Sequence, residues 1–278
     1  MVTWSSGVHI VGTPIWCDVV REHEVSFLSG LAPLPWPRRG SKQARVICTA
    51  ETAQFLRALD RLPSQDVLVS PFGRPILLGR LRLELLPSGR HPGAAQLLVE
   101  VKGKKILYAV GVRPESPLTQ VRGCDALVLE PSYLRLSPDN LVGWVQKHQP
   151  GVIIASLYGE LVEVARILKI EGVRLRTPKR SHRLLLESGA LQWRGKLDRN
   201  EILLWPQEMK NAPKQFPRLD VQTICKPESS LLMQFARSTG ACDVYFVGEL
   251  TREVALLYAT AKMRTHPLSP PQQMGLWI

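Results

Sequence analysis

The sequence predicts a mixed α/β protein, and three segments of the chain support that fold class. Residues 44–62, ARVICTAETAQFLRALDRL, place a short apolar run before a segment with apolar residues at helical spacing, which predicts a strand followed by a helix. Residues 151–172, GVIIASLYGELVEVARILKIEG, repeat the same order. Between them, residues 75–89 and 94–112 alternate apolar and polar positions, and the turn sequence Lys102-Gly103-Lys104 predicts an antiparallel meander.

The N-terminal and C-terminal segments predict further elements. GVHIVGTPIWCDVV predicts two short strands that meet at Gly12-Thr13-Pro14, and EVSFLSGLAPLPW predicts a strand that ends in a proline-rich loop. Ser137 followed by Pro138 predicts the start of a helix. CDVYFVGEL predicts a strand, and Thr251 is expected to cap the helix that follows it.

Two segments give no such pattern. Residues 172–222 are polar, basic and interrupted by prolines. The last segment, THPLSPPQQMGLWI, has too many prolines to be helical and is expected to form a flexible or docking tail.

Composition and charge limit the class of protein. The 278 residues have a net charge of +12, which favours a polyanionic partner. No apolar run approaches the roughly 20 residues of a membrane-spanning helix, and the N-terminus has no secretory signal pattern, so we expect a cytoplasmic protein, with nucleoid or nuclear association as an alternative. The five cysteines are widely spaced, and we expect them to be reduced.

Four segments in order resemble one known family. GTPIWCD ends at Asp18, VSFLSGLAPLP follows it, LLPSGRHPGAAQ leads into ILYAVG, and the fourth is CDALVLEPSY. Together they resemble the metallo-β-lactamase fold and, within it, the β-CASP nuclease branch, including proteins similar to the ligase-associated DNA exonucleases and the mRNA 3′-end processing exonucleases.

The resemblance implies a specific architecture. It implies a four-layer αββα sandwich, in which two sheets lie between outer helices, formed by residues 1–131 and 221–278. It also implies a small α/β cap of β-CASP type inserted at residues 132–220.

The resemblance also identifies positions where active relatives hold two metal ions, usually zinc. The family motif has His, His, Asp and His where this sequence has Gly30, Ala32, Leu34 and Pro35. A further His is replaced by Arg90, and the bridging Asp is replaced by Gly111. Arginine stays protonated and cannot serve as a ligand, so the resemblance implies a pseudo-nuclease without zinc or another cofactor.

Other family positions are retained in this chain. They are Asp18, Gly89, Gly93, Gln96 and Glu130. His91 lies one residue after the expected histidine position, and with Asp18 and Glu130 it offers three possible ligands for one metal ion. An active metal-dependent nuclease or hydrolase with an atypical site is therefore one alternative.

Basic residues concentrate in two segments that flank the nucleic-acid cleft in active relatives. The candidates for binding nucleic acid are Arg38, Arg39, Lys42, Arg45, Arg90, Arg174, Arg176, Lys179, Arg180 and Arg183. Trp36 and Trp193 are candidates for stacking on bases.

We therefore expect a non-catalytic protein that binds DNA, RNA or a repair or processing partner through a basic cleft. A purely structural subunit of an enzyme complex is the second alternative, and a membrane partner is not expected.

Overall fold

A computed structural model describes residues 1–5, 7–19, 23–31, 45–59, 66–131, 133–157, 159–179, 182, 189–248 and 250–268. These residues form four β-sheets and five α-helices, so the mixed α/β prediction is confirmed. The chain divides into two compact units. The first unit comprises Met1–Ala53, Arg61–Tyr133 and Ser229–Ile278, and the second comprises Gln54–Asp60 and Leu134–Glu228.

The first unit contains a six-stranded sheet whose strands follow the order of the chain. Its first three strands pair antiparallel and the next three pair in parallel. The strands are β1 (Val2–Trp4), β2 (Val8–Ile10), β3 (Ile15–Cys17), β4 (Val25–Phe27), β5 (Arg45–Cys48) and β6 (Val67–Val69). The two strands predicted on either side of Gly12 are β2 and β3, and helix α1 (Ala50–Ala58) follows β5 as predicted.

A seven-stranded sheet follows in the same unit, with the order β20-β19-β11-β10-β9-β8-β7. The predicted meander forms its antiparallel part, and the later strands add in parallel. Its strands are β7 (Pro75–Leu78), β8 (Leu81–Pro87), β9 (Ala95–Val101), β10 (Lys104–Tyr108), β11 (Ala126–Leu129), β19 (Asp243–Val247) and β20 (Arg264–Leu268).

The two sheets of the first unit share one hydrophobic core. Ile10, Phe27 and Ile47 from the first sheet pack in the same cluster as Leu83 and Leu97 from the second. The opposite face of the seven-stranded sheet is covered by helices α4 (Ser229–Thr239) and α5 (Arg252–Thr260). Along β8, the residues that pack in the shared core alternate with more exposed residues over most of the strand.

The second unit is built on a parallel five-stranded sheet with the order β15-β14-β16-β13-β17. Helix α3 (Glu160–Ile170) lies against three of these strands, and helix α2 (Pro138–His148) lies next to α3. The strands are β13 (Gly151–Ala155), β14 (Arg174–Thr177), β15 (Leu191–Gln192), β16 (Glu201–Pro206) and β17 (Arg218–Asp220). A separate antiparallel pair joins β12 (Leu134–Leu136) to β18 (Cys225–Pro227).

Two segments contain strands that the sequence patterns do not indicate. Residues 172–222, which are polar and interrupted by prolines, contribute β14 to β17. The prediction of a flexible or docking tail over residues 265–278 is wrong at its start, because Arg264–Leu268 forms β20. Pro267 is accommodated there because β20 is an edge strand, where one row of backbone groups needs no partner strand.

The second unit also has different limits from the predicted cap, residues 132–220. It continues to Glu228 because β18 returns to pair with β12, and it includes Gln54–Asp60.

Among the described residues, no helix has the length and apolar character needed to cross a bilayer.

Candidate functional site

The positions in the first unit to which the family resemblance assigns a role lie together at the ends of several strands. Asp18 follows β3, Gly30 follows β4, and Arg90 and His91 follow β8. Three more residues, which end or follow β10 and β11, complete the group that we call the strand-end site: Tyr108, Gly111 and Glu130. Strands that run in the same direction bring their carboxyl ends to one edge of a sheet, so residues distant in sequence are placed together.

Asp18 is held by donors from two strands. Its backbone has a positive φ of 46°, and its Oδ1 accepts a hydrogen bond from the Ser29 backbone N–H at 2.9 Å. Oδ2 accepts a hydrogen bond from the Tyr108 hydroxyl, also at 2.9 Å. Burial raises the pKa of Asp18, while these two donors and the nearby Arg90 charge oppose that rise. The carboxylate therefore joins the ends of β3, β4 and β10.

His91 fills the space beside Gly30. A Cβ at Gly30 would lie 2.8 Å from His91 Nε2, so no larger side chain fits there without displacing the ring. His91 Nδ1 lies 2.9 Å from the Pro92 carbonyl oxygen, which can only accept, and the Leu31 N–H donates to Nε2 at 3.3 Å. These partners require the neutral Nδ1–H tautomer. Both ring nitrogens of His91 are thus engaged by the backbone.

Arg90 occupies the corresponding space beside Gly111. A Cβ at Gly111 would lie 2.7 Å from Arg90 Nη1 and 3.6 Å from Arg90 Cδ. The guanidinium also stabilises the charged form of Asp18. A fixed cation therefore lies against the position where the family resemblance implies a bridging carboxylate.

The loop between β8 and β9 is fixed by close backbone packing. Gly93 has a φ of 78°, and a Cβ there would lie 2.6 Å from Glu51 Cβ and 2.8 Å from the Thr52 nitrogen. The Gly93 carbonyl accepts hydrogen bonds from the hydroxyls of Thr49 (2.7 Å) and Thr52 (2.9 Å). A side chain at Gly93 would break this contact, because glycine alone tolerates both the φ and the approach.

Close packing at Gly89 and hydrogen bonds from Gln96 stabilise the other side of the same loop. A Cβ at Gly89, where φ is 78°, would lie 2.7 Å from Ser116 Oγ. Gln96 is fully buried, and its Nε2 donates to the carbonyl oxygens of Pro87 (2.8 Å) and Gln120 (2.7 Å). These retained family positions have structural roles that need no metal ion.

The metal-binding alternative places three ligands on Asp18, His91 and Glu130. Within the described part of the chain, no three His, Cys, Asp or Glu side chains are grouped to hold a metal ion. Both oxygens of Asp18 and both ring nitrogens of His91 already have protein partners. Ala32, Leu34 and Pro35, the other vacated positions, lie outside the described residues.

The predicted basic residues have several different surroundings. Arg45 forms an ion pair with Asp66 at 2.7 Å, and Arg176 is bound to the buried carboxylate of Glu201. Arg174 and Lys179 are exposed. The remaining candidates, apart from Arg90, lie outside the described residues: Arg38, Arg39, Lys42, Arg180 and Arg183.

Tyr108 is a member of the strand-end site that the sequence patterns did not identify. It is the last residue of β10, and only 1% of its surface is exposed. Burial and the charge of Asp18 raise its pKa well above the ordinary value, with a smaller contribution from Glu130. A buried tyrosine hydroxyl usually has a hydrogen-bond partner, so a tyrosine at the end of an apolar run is the sequence signal for such a residue, and the structure identifies the partner as Asp18.

Comparisons with known proteins give structural similarities but no sequence match. No protein-family model and no curated protein matches the sequence. The structure is similar to the crystal structure of a protein of unknown function from Enterococcus faecalis V583, with 14% sequence identity and a TM-score of 0.46. That similarity covers 88% of this chain and 69% of the other.

Proposed function

We propose that the protein is a non-catalytic relative of the metallo-β-lactamase and β-CASP nucleases, which binds nucleic acid without cleaving it. In this proposal the first unit is the four-layer αββα sandwich and the second unit is the cap. The shared core of the two sheets and the helices on the outer face of the seven-stranded sheet support the sandwich.

The observation that supports a non-catalytic role is the packing at Gly30 and Gly111. Each glycine stands where the resemblance implies a metal ligand, and each is in contact with a side chain from the β8–β9 loop, His91 or Arg90. Metal-assisted hydrolysis requires oxygen, nitrogen or sulfur ligands around an open coordination position. A guanidinium at that place repels a metal ion instead of binding it.

Net charge supports a nucleic-acid partner. A net charge of +12 favours association with a phosphate backbone, and neutralised phosphates release counterions on binding. Binding of this kind weakens as the salt concentration rises.

The test combines binding and cleavage by the full chain. Fluorescence anisotropy with a labelled oligonucleotide should show binding at low salt and a steep loss of affinity as salt increases. The same oligonucleotide should remain intact with added zinc or manganese.

Two results contradict the proposal. Strand cleavage that a chelator and the Asp18→Asn substitution both abolish would show an active nuclease. If no oligonucleotide binds at low salt, the nucleic-acid function fails and the role of a structural subunit replaces it.

A further inference from the structure

The two faces of the five-stranded sheet are covered differently. Helix α3 lies against β13, β14 and β16 on one face. On the other face, Val152, Leu203 and Trp205 are buried under non-helical segments of the chain. We call this second face, with the segments 193–200 and 207–217 that cover it, the coil-covered face. Parallel sheets are usually covered by helices on both faces. Here one face is instead covered by non-helical segments.

Strand register places arginine side chains on the coil-covered face. Arg218 of β17 is paired with Val152 of β13, and Arg176 of β14 is paired with Leu203 of β16. Paired residues of neighbouring strands point to the same face, and so do residues two apart in one strand. Arg174 therefore lies on this face with Arg176. The distance from β14 to β17 across the sheet is about 14 Å.

Two aromatic side chains also pack on the coil-covered face. Trp193 and Phe216 are partly exposed and pack on the buried cluster of Leu203 and Trp205. Trp193 meets Trp205 edge to face, with ring centroids 6.0 Å apart. Two partly exposed rings supported by a rigid sheet are suited to stacking on flat ligand groups.

The covering segments and the adjoining strands add exposed cations. The exposed basic residues of these segments and of the adjoining strands are Arg174, Arg194, Lys196, Arg199, Lys210, Lys214 and Arg218. Within the described residues, none of these seven side chains forms an ion pair or a hydrogen bond.

The same strands and covering segments carry four acidic residues, Asp198, Glu201, Glu208 and Asp220, against eight basic residues. Glu201 is bound by Arg176, and Glu208 accepts from the Ser156 hydroxyl at 2.9 Å and from the Leu157 N–H at 3.2 Å. Asp220 accepts from the Gln222 N–H at 3.1 Å. The net charge of the coil-covered face is therefore positive, so the face is electrostatically complementary to an anionic ligand.

We infer that the coil-covered face binds a single-stranded nucleic acid, whose bases stack on Trp193 and Phe216 and whose phosphates contact Arg174, Arg218 and the lysines around them. This inference deepens the proposed nucleic-acid function and rests on it. Single strands fit this surface better than duplexes because only unpaired bases present their faces to aromatic rings. RNA and DNA share the phosphates and bases that are recognised, so both are tested.

The experiment measures affinity of the full chain for labelled oligothymidine, oligouridine and a mixed-sequence duplex of about 20 nucleotides, across a salt series. Trp193→Leu keeps an apolar contact with the cluster and should weaken single-strand binding about tenfold or more. Phe216→Leu serves as a second aromatic variant, and thermal unfolding checks that each variant is folded. The double variant Arg174→Gln, Arg218→Gln should reduce the slope of log affinity against log salt by about 1.4.

A matched control removes the same charge from the helical side of the second unit. Lys147 and Arg166 are exposed residues of α2 and α3, and the double variant Lys147→Gln, Arg166→Gln should retain the wild-type affinity and salt slope.

Each outcome separates the inference from the proposed function. Wild-type binding to oligothymidine or oligouridine that the face variants weaken, with the control unchanged, supports the inference. Binding that all face variants retain overturns the site and leaves the proposed function intact, and preference for the duplex overturns the single-strand assignment. If the wild-type chain binds none of the three probes at low salt, the proposed function and the inference both fail.

Discussion

The strand-end site of the first unit and the coil-covered face of the second unit differ in whether their polar groups are bonded within the protein or exposed to water. At the strand-end site, Asp18 and His91 each have two partners from the protein, and Arg90 packs on a glycine. On the coil-covered face, cations such as Arg174 and Lys210 are exposed and form no ion pair within the described part of the chain. Groups already bonded inside the protein stabilise the fold, whereas groups left with water remain available to a ligand. Substitutions should therefore affect stability at the strand-end site, and binding where they remove the unpaired cations of the coil-covered face.

The largest expected loss of stability comes from the loop of the strand-end site. Gly93→Ala combines a strained φ with overlap against Glu51 and the Thr52 backbone, so the free energy of unfolding should fall by about 4 kcal/mol. Gly103→Ala is the control, because Gly103 has a φ of 72° and no neighbouring atom within 4 Å of the added Cβ. It should cost about 1 kcal/mol. Urea denaturation measures both, and equal losses would show that the loop is not tightly packed.

The next effect sharpens the contrast within the coil-covered face itself. Arg176→Gln leaves the Glu201 carboxylate, which is only 2% exposed, without its cation, and should reduce stability by about 3 kcal/mol. Arg174→Gln, two residues away on the same face, should change stability by less than about 0.5 kcal/mol. The oligonucleotide affinity should fall for Arg174→Gln even though its stability is unchanged. A stability loss as large for Arg174→Gln would contradict the distinction between paired and unpaired cations.

A smaller effect is expected for the hydroxyl that holds Asp18. Tyr108→Phe removes a hydrogen bond to a carboxylate and should reduce the free energy of unfolding by about 1.5 kcal/mol. Tyr258→Phe is the matched control, since the buried Tyr258 hydroxyl has no hydrogen-bond partner among the described residues. Its removal should be neutral or stabilising. Thermal unfolding compares the two variants, and a Tyr258→Phe loss equal to that of Tyr108→Phe would argue against a specific role for the Asp18 contact.

The smallest expected effects are opposite pH dependences in the two units. Burial raises the pKa of Asp18, so its contribution to stability is present below its ordinary value of 3.8 and is lost as pH rises through the folded-state pKa. Hydrogen bonds from Arg176 lower the pKa of Glu201, so its contribution is present above its ordinary value of 4.5 and is lost as pH falls through the folded-state pKa.

Denaturation of the Asp18→Asn and Glu201→Gln variants between about pH 3 and pH 7 checks these signs. As pH rises, the free energy of unfolding of Asp18→Asn should increase relative to that of the wild type. The free energy of unfolding of Glu201→Gln should decrease relative to that of the wild type. The same sign for both variants would contradict the assigned partners.

The sequence predicted those elements whose signals are local. The Lys102-Gly103 turn, the Ser137 cap and the Thr251 cap all lie where the patterns indicated, because turn and capping residues act within a few positions of the chain. The strands β14 to β17 do not follow from local patterns, because this part of the chain is polar and contains four prolines. In the structure Pro178 follows β14, Pro206 ends β16 and Pro217 precedes β17, so these three prolines lie at strand limits.

The candidate site was predicted only in part, for a related reason. The glycines of the β8–β9 loop and the position of Asp18 follow from sequence motifs. The contact of Arg90 with Gly111, the Tyr108 bond to Asp18 and the shared face of Arg174, Trp193 and Arg218 depend on strand register, which one sequence does not specify over long separations.

Metal content of the purified full-length chain tests most directly whether internal contacts have replaced a metal centre. The chain is expressed with zinc and manganese supplied, passed over a desalting column and measured by inductively coupled plasma mass spectrometry. We predict far less than one divalent ion per chain, unchanged in the Asp18→Asn variant. A tightly held zinc or manganese ion in every wild-type chain, lost in Asp18→Asn, would contradict the account.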